Sequence, residues 1–232
     1  MKKWLKKNKF FVKSLMLCFR FIGYNRFKIK GKNNVKIDGL LKRGRIVVRG
    51  KNNTILVKNP KCNIDFNVFI QGNNNTIRIE EGCILKNLNL WIEDDNNEIV
   101  IKKNTMICGE TKLCCLEGSK IHIGEKCMFS NHIHFRTSDS HSILDEQGKR
   151  INPPEDIIIH EHVWVGYHVT VLKGAEVNKN TIVGANAVVT KKFENTECAI
   201  AGNPARVVRQ GINWHYKRIA VGALIGEYQF ED

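Results

Sequence analysis

The chain has no run approaching 18 uncharged apolar residues. Its best candidate, Phe10 to Gly23, is broken by Lys13 and Arg20, which argues against a spanning helix. It also has no CxxC pair. Cys18, Cys62, Cys83, Cys108, Cys127 and Cys198 are widely scattered and only Cys114 and Cys115 are adjacent, a spacing that suits neither a zinc site nor a disulfide framework. No small-residue cleavage site precedes Cys18, so the lysine-rich start followed by Leu15-Met16-Leu17 is not expected to be a signal or lipoprotein segment. Free thiols then imply a reducing, cytoplasmic compartment. Acidic residues are the scarcer charge: 37 Lys+Arg against 23 Asp+Glu leave +14 over 232 residues. That excess could serve nucleic acid, an anionic membrane surface or a polyanionic substrate, and composition does not choose among them. With 42% hydrophobic residues the chain is long enough to bury a sizeable core.

What is present is repetition. Ile159, Val165, Val171, Val177, Val183 and Val189 lie six residues apart, and each is followed four positions later by Val163, Val169, Ala175, Thr181, Ala187 or Phe193. Upstream the period lengthens. Asn53-Thr54-Ile55-Leu56-Val57, Asn75-Thr76-Ile77-Arg78-Ile79, Asn97-Glu98-Ile99-Val100-Ile101 and Ser119-Lys120-Ile121-His122-Ile123 recur every 22 residues, and an earlier copy at Asn33 to Ile37 falls out of register by one or two. Each unit opens on a polar turn suited to left-handed backbone and then alternates apolar and polar as a half-buried strand does. One such unit cannot bury its apolar side alone, so stacked coils are the physical solution: an all-β parallel β-solenoid. Cys83, Thr105 and Cys127 lie eight residues after Asn75, Asn97 and Ser119, with Cys62 nine after Asn53, and are expected to form a ladder of small side chains inside the coils that needs no metal.

The hexads from Ile159 to Phe193, with His162-Val163-Trp164-Val165-Gly166, Val183-Gly184-Ala185 and Ala201-Gly202-Asn203-Pro204-Ala205-Arg206, resemble the left-handed β-helix (hexapeptide-repeat) acyltransferases. Thr137-Ser138-Asp139-Ser140-His141-Ser142-Ile143 is most similar to the sugar and capsular polysaccharide O-acetyltransferases among them. The resemblance covers about Cys127 to Arg209; the 22-residue coils depart from the family's usual 18. It implies acetyl-CoA as co-substrate, no metal, a homotrimer with active sites between subunits, and a sugar or polysaccharide acceptor. The expected organisation is a basic, helical cap over residues 1–30, a solenoid over 31–204 with irregular coils to about 122, a loop over about 131–155 and regular hexads over 157–194, and a C-terminal cap over 205–232.

The broken rhythm between Asn131 and Glu155 marks an extruded loop, where chemistry usually sits. Acetyl transfer to a hydroxyl requires a base for the hydroxyl proton, and imidazole titrates in the right range. His141 is the expected base, with Asp139 as its orienting acceptor; a merely exposed loop histidine is the alternative. Asn131, His132, His134 and Ser140 are candidate acceptor contacts, and if His132 and His134 lie on a strand they share one side. Trp164 is expected to point outward, as a wall for the pantetheine arm, a donor beside the base, or a subunit contact. Gly166, Gly184, Ala185 and Gly202 would permit close approach of CoA, while Lys191 and Arg206, with Lys173, Lys192 and Arg209 nearby, are candidate phosphate partners. His160, His162 and His168 lack the spacing of a solenoid zinc site.

Lys2, Lys3, Lys6, Lys7, Lys9 and Lys13 interleave with Trp4, Leu5, Phe10 and Phe11. Residues 1–13 could lie on an anionic inner membrane surface as a basic amphipathic helix or cap the open solenoid end. The readings that compete with a polysaccharide O-acetyltransferase are an amino sugar N-acetyltransferase or serine-type acetyltransferase on the same coils, and a non-catalytic glycan-binding solenoid. Nucleic-acid binding is the weakest, since the basic residues frame no recognition element.

Overall fold

The computed structural model describes residues 25–227. Most of the basic N-terminal segment, including residues 1–13, and residues 228–232 of the expected C-terminal cap lie outside them. Three eight-stranded sheets form the faces of a prism. The first runs from Arg26–Lys30 to Val188–Val189, the second from Asn34–Ile37 to Lys192–Phe193, and the third from Cys62–Ile64 to Cys198–Ala201, closed by Arg206–Gln210. All neighbours pair in parallel except the last two strands, Cys198–Ala201 and Arg206–Gln210, which are antiparallel. The solenoid wall therefore begins at Arg26, inside the segment the sequence assigned to an N-terminal cap.

Register follows the repeats. Thr54 pairs with Thr76, Thr76 with Glu98 and Glu98 with Lys120, each 22 residues on, whereas Asn34 pairs with Thr54 after only 20. Downstream, Trp164 pairs with Ile182 after 18. The wide coils use strands of three to six residues over much of their length and the hexad coils mostly strands of two or three, which is where the extra four residues go. Ile55, Ile77, Ile99, Ile121 and Ile157 stack through the interior of the second face, all fully buried. Burying one such side chain stabilises by about 1.5–3 kcal/mol, so the interior ladder is the main cohesive force between coils.

The corners need polar chemistry. Asn52, Asn74 and Asn96 take the left-handed backbone, and the next residue in each case, Asn53, Asn75 or Asn97, turns its amide inward. Asn75 Nδ2 donates to Asn53 Oδ1 at 3.0 Å and Asn97 Nδ2 to Asn75 Oδ1 at 3.0 Å, one amide per coil. The interior ladder of small side chains holds Cys83, Thr105 and Cys127, whose Sγ, Oγ1 and Sγ donate to the carbonyls of Lys102, Gly124 and His160. Burial pushes the Cys83 thiol up to about 11 and that of Cys127 to about 12, so both stay protonated. Cys62 does not join them. It pairs with Ile84 rather than Cys83, one position out of phase, and Asn63 takes the inward place.

Candidate active site

The chain leaves the wall after Arg136 and re-enters it at Ile157. The loop is thus 137–156, and Asn131 to Arg136 belong to the coil because Ile133 and Phe135 alternate inward and are buried. Only His134 of the two early histidines is on a strand. His132 sits in the corner with φ 55°, its Nδ1 2.9 Å from Glu110 Oε2, so the two do not share a face. His134 Nε2 lies 3.5 Å from Cys114 Sγ; burial first, then Lys112 and Arg136, lower its pKa and keep it neutral near pH 7. Asn131 Oδ1 caps its own corner, accepting from Glu110 N at 2.6 Å and His132 N at 2.9 Å.

The loop is stapled from within. Asn152, almost fully buried, donates through Nδ2 to Asp139 Oδ2 and to the His141 carbonyl, both at 2.8 Å, and accepts from Ile143 N at 2.8 Å. Lys173, one coil further on, donates to the same Asp139 oxygen at 2.6 Å. Hydrogen bonds from Lys173 and then Asn152 hold the Asp139 carboxyl below the usual carboxylate range. At the loop's other foot Arg150 forks onto Glu117 at 2.7 and 3.0 Å, and Ser138 Oγ donates to Glu117 at 2.6 Å; Arg150 first, then Ser138, lowers the Glu117 pKa. Arg136 Nη2 donates to Ser140 Oγ at 2.6 Å. His141 stands exposed at the crest, and its imidazole has no hydrogen-bond partner among the described residues. Asp139 is engaged by Lys173 and Asn152 rather than by His141. Its charge and the Asn152 amide fix the backbone that carries the histidine.

Because both carboxyls are held below their ordinary values, their anchoring is present above those values and fades as pH falls through the lowered ones. The loop is accordingly expected to hold from neutral pH down to about pH 4. Asn152→Ala is expected to expose residues 141–151 to limited proteolysis at least tenfold faster at pH 7 while the melting temperature shifts little. An unchanged cleavage rate would show that Asn152 does not hold the loop.

Trp164 points outward on the third face and is 36% exposed, between Met128 and Ile182 of the adjacent coils. The C-terminal segment returns along this wall. Trp214 donates through Nε1 to the His162 carbonyl at 2.9 Å, stacks on the His162 ring at 4.4 Å and lies 6.0 Å from Trp164. Gly166 and Gly184 follow the strands Trp164–Val165 and Ile182–Val183. A Cβ on Gly166 would meet Val183 O at 2.8 Å, and one on Gly184 would meet the Ala201 methyl at 3.0 Å, so both glycines let successive coils close and leave the wall free of bulk. Ala185 and Gly202 are exposed beside them, Gly202 with φ 99°. Arg206 spends donors on the carbonyls of Ala205 at 2.9 Å and Pro204 at 3.5 Å, and Lys191 lies 5.4 Å from the Phe193 ring centroid. No group of three or more His, Cys, Asp or Glu is placed to hold a metal among the described residues.

Asn152, Trp214 and the Asp139–Lys173 pair carry no local signal in sequence. Lys173 stood there only among candidate phosphate partners, and the others join segments 13 to 52 residues apart.

A parallel β-helix with an extruded histidine loop and a glycine-lined wall beside an outward tryptophan defines the class of solenoid acyltransferases. No protein-family model matches the chain. A polysialic acid O-acetyltransferase of Neisseria meningitidis is 34% identical over 195 residues, 84% of this chain and 90% of that protein. A protein of the same name from Escherichia coli O1:K1 is 39% identical over 95 residues, 40% of this chain; the match spans only 31% of that longer protein. Among solved structures, the polysialic acid O-acetyltransferase OatWY superposes with a TM-score of 0.78 at 31% identity, over 88% of this chain and 95% of its own. The polySia-specific acetyltransferase NeuO gives 0.64 at 31%, over 79% and 87%. The chain belongs to the polysialic acid O-acetyltransferase family of left-handed β-helix enzymes, and it is an O-acetyltransferase.

Proposed function

We propose that this enzyme transfers the acetyl group of acetyl-CoA to a hydroxyl of an anionic bacterial capsular polysaccharide, or of its sugar precursor, with His141 as general base. The observation that carries the reading is the similarity to the Neisseria polysialic acid enzyme over nearly the whole solenoid, loop included. His141 takes the proton of the acceptor hydroxyl as that oxygen attacks the thioester carbonyl, and returns it to the departing CoA sulfur. Transfer is direct, within a ternary complex of enzyme, acetyl-CoA and acceptor, and needs no acyl-enzyme. Asp139, Lys173 and Asn152 position the histidine through its backbone, and Ser140, tied to Arg136, borders the acceptor. The Trp164 ring and the strip of Gly166, Gly184, Ala185 and Gly202 receive the pantetheine arm. Lys191 and Arg206 at the end of the coils meet the CoA phosphates.

A homotrimer completes the site. The third face presents Ile84, Met106, Met128, Trp164, Ile182 and Ala199 outward in one register column, an apolar line that a second copy would cover. No helix among the described residues is long and apolar enough to cross a membrane. The enzyme works in the cytoplasm, with residues 1–13 as a peripheral contact to the inner membrane surface.

Incubation with acetyl-CoA and polysialic acid is expected to release free thiol in step with alkali-labile acetyl on the polymer. Acetyl that resists mild alkali would assign an N-acetyltransferase instead. Absence of acetyl-CoA-dependent thiol release with any acidic glycan would rule the reading out.

A further inference from the structure

The three faces differ in chemistry, and the first is the basic one. Its outward positions carry seven Lys or Arg among the described strands, Arg26, Lys28, Lys30, Arg45, Arg49, Lys112 and Arg136, against one acid, Glu93. Along it Phe69, Trp91, Cys114 and Arg136 stand in one register column. Phe69 and Trp91 stack with centroids 4.3 Å apart, Arg49 Cζ lies 5.7 Å from the Phe69 ring and Lys112 Nζ 5.3 Å from that of Trp91. The Trp91 indole donates through Nε1 to Glu93 Oε1 at 2.9 Å, which fixes the ring's orientation. Beside the rings, Asn67 Nδ2 donates to Asn89 Oδ1 at 3.0 Å.

Across four strands the order is cation, two rings, cation, with Arg49 leaning onto Phe69 from the level of Gln71 and Lys112 onto Trp91 from the level of Asn89, and Arg136 extends the ring column to Ser140 and so to the loop of His141. The ring stack costs the cations their freedom before any ligand arrives, which preorganises them. Strands are about 4.8 Å apart, and Arg49 and Lys112 differ by three strands across the sheet and by four residues along it, so their backbones are about 20 Å apart, with Arg136 one strand, about 5 Å, beyond Lys112. The exposed surface of Trp91 suits the apolar flanks of sugars, the asparagines suit hydroxyls, and the cations suit carboxylates. A membrane-inserting face would instead flank the rings with aliphatic side chains, where Asn67, Gln71, Asn89 and Glu93 stand.

We infer that the outer side of the first face is an acceptor-docking track, on which an anionic polysaccharide lies across the strands from Arg49 to Arg136 and is fed to the His141 loop. The inference rests on the acceptor class proposed above and adds where the chain beyond the reacting sugar is held. A disaccharide is too short to reach the distal cations, so the track acts on long acceptors only.

The test compares the intact enzyme with Arg49→Glu/Lys112→Glu and with Trp91→Ala, all outside the acetyl-transfer site, using long polysialic acid, a sialic acid disaccharide, and retention on immobilised polysialic acid without acetyl-CoA. The charge-reversed enzyme is expected to show a KM for the long polymer raised about tenfold at low salt, with the difference shrinking as salt screens it. Its kcat/KM for the disaccharide should be unchanged and its retention lost, while Arg49→Lys/Lys112→Arg keeps both. An unchanged polymer KM in a folded double variant, or an equal loss on the disaccharide, overturns the track. So does loss of binding to anionic lipid vesicles with polymer retention intact. Failure of the unmodified enzyme to acetylate either acceptor would count against the acceptor class, whereas its failure to be retained would count against the track itself.

Discussion

His141→Ala is expected to lower acetyl transfer by about 10²–10⁴-fold, the range that a positioned general base contributes. The same variant should bind CoA and melt as the parent enzyme does, because the imidazole is exposed and makes no hydrogen bond among the described residues. Exposed substitutions of this kind ordinarily change stability by less than about 0.5 kcal/mol. Isothermal titration with CoA and a steady-state thiol assay separate the two effects. Turnover within a few fold of the parent would remove His141 from the role of base, and loss of CoA binding would place it in the donor site instead.

Asn75→Ala is expected to be the most damaging small change to the fold, destabilising by about 2–4 kcal/mol. Asn75 is fully buried in the middle of the amide ladder. Its Nδ2 serves Asn53 Oδ1 and the Asp94 carbonyl, each at 3.0 Å, and its Oδ1 receives Asn97 N at 2.8 Å and Asn97 Nδ2 at 3.0 Å. Truncation strands the Asn97 N–H inside the corner and takes one of two donors from Asn53 Oδ1 and from the Asp94 carbonyl; coils depend on their neighbours, so the defect weakens both interfaces of one coil. Urea denaturation would read it as a lower midpoint. A loss under about 0.5 kcal/mol would mean that water enters the corner and replaces the amide.

How far the sequence reaches can be judged residue by residue. The coil interior was legible because its apolar positions recur locally: all twelve side chains of the hexad register, from Ile159 to Phe193, are buried. The loop starts six residues later than the break in the hexads suggests, because Ile133 and Phe135 lack the hexad signature although they alternate as a wide-coil strand must. Cys62 lies nine residues after Asn53 where the ladder needs eight, and in a strand one residue of slip turns a side chain to the opposite face. The spacing of His132 and His134 does not reveal that they part company, because a corner residue cannot be told from a strand residue by spacing alone.

By itself the sequence determined the solenoid, its change of period and the presence of a loop carrying His141, since each shows as a repeat or as a break in one that contacts one coil away make periodic. Only the tertiary structure decided what holds that loop and what faces outward. Asp139 meets Lys173 across 34 residues, Trp214 meets His162 across 52, and the basic track of Arg49, Lys112 and Arg136 assembles from separate coils. Those outward positions bear no burial constraint, so they leave no period in the sequence, and stacking alone brings them into line.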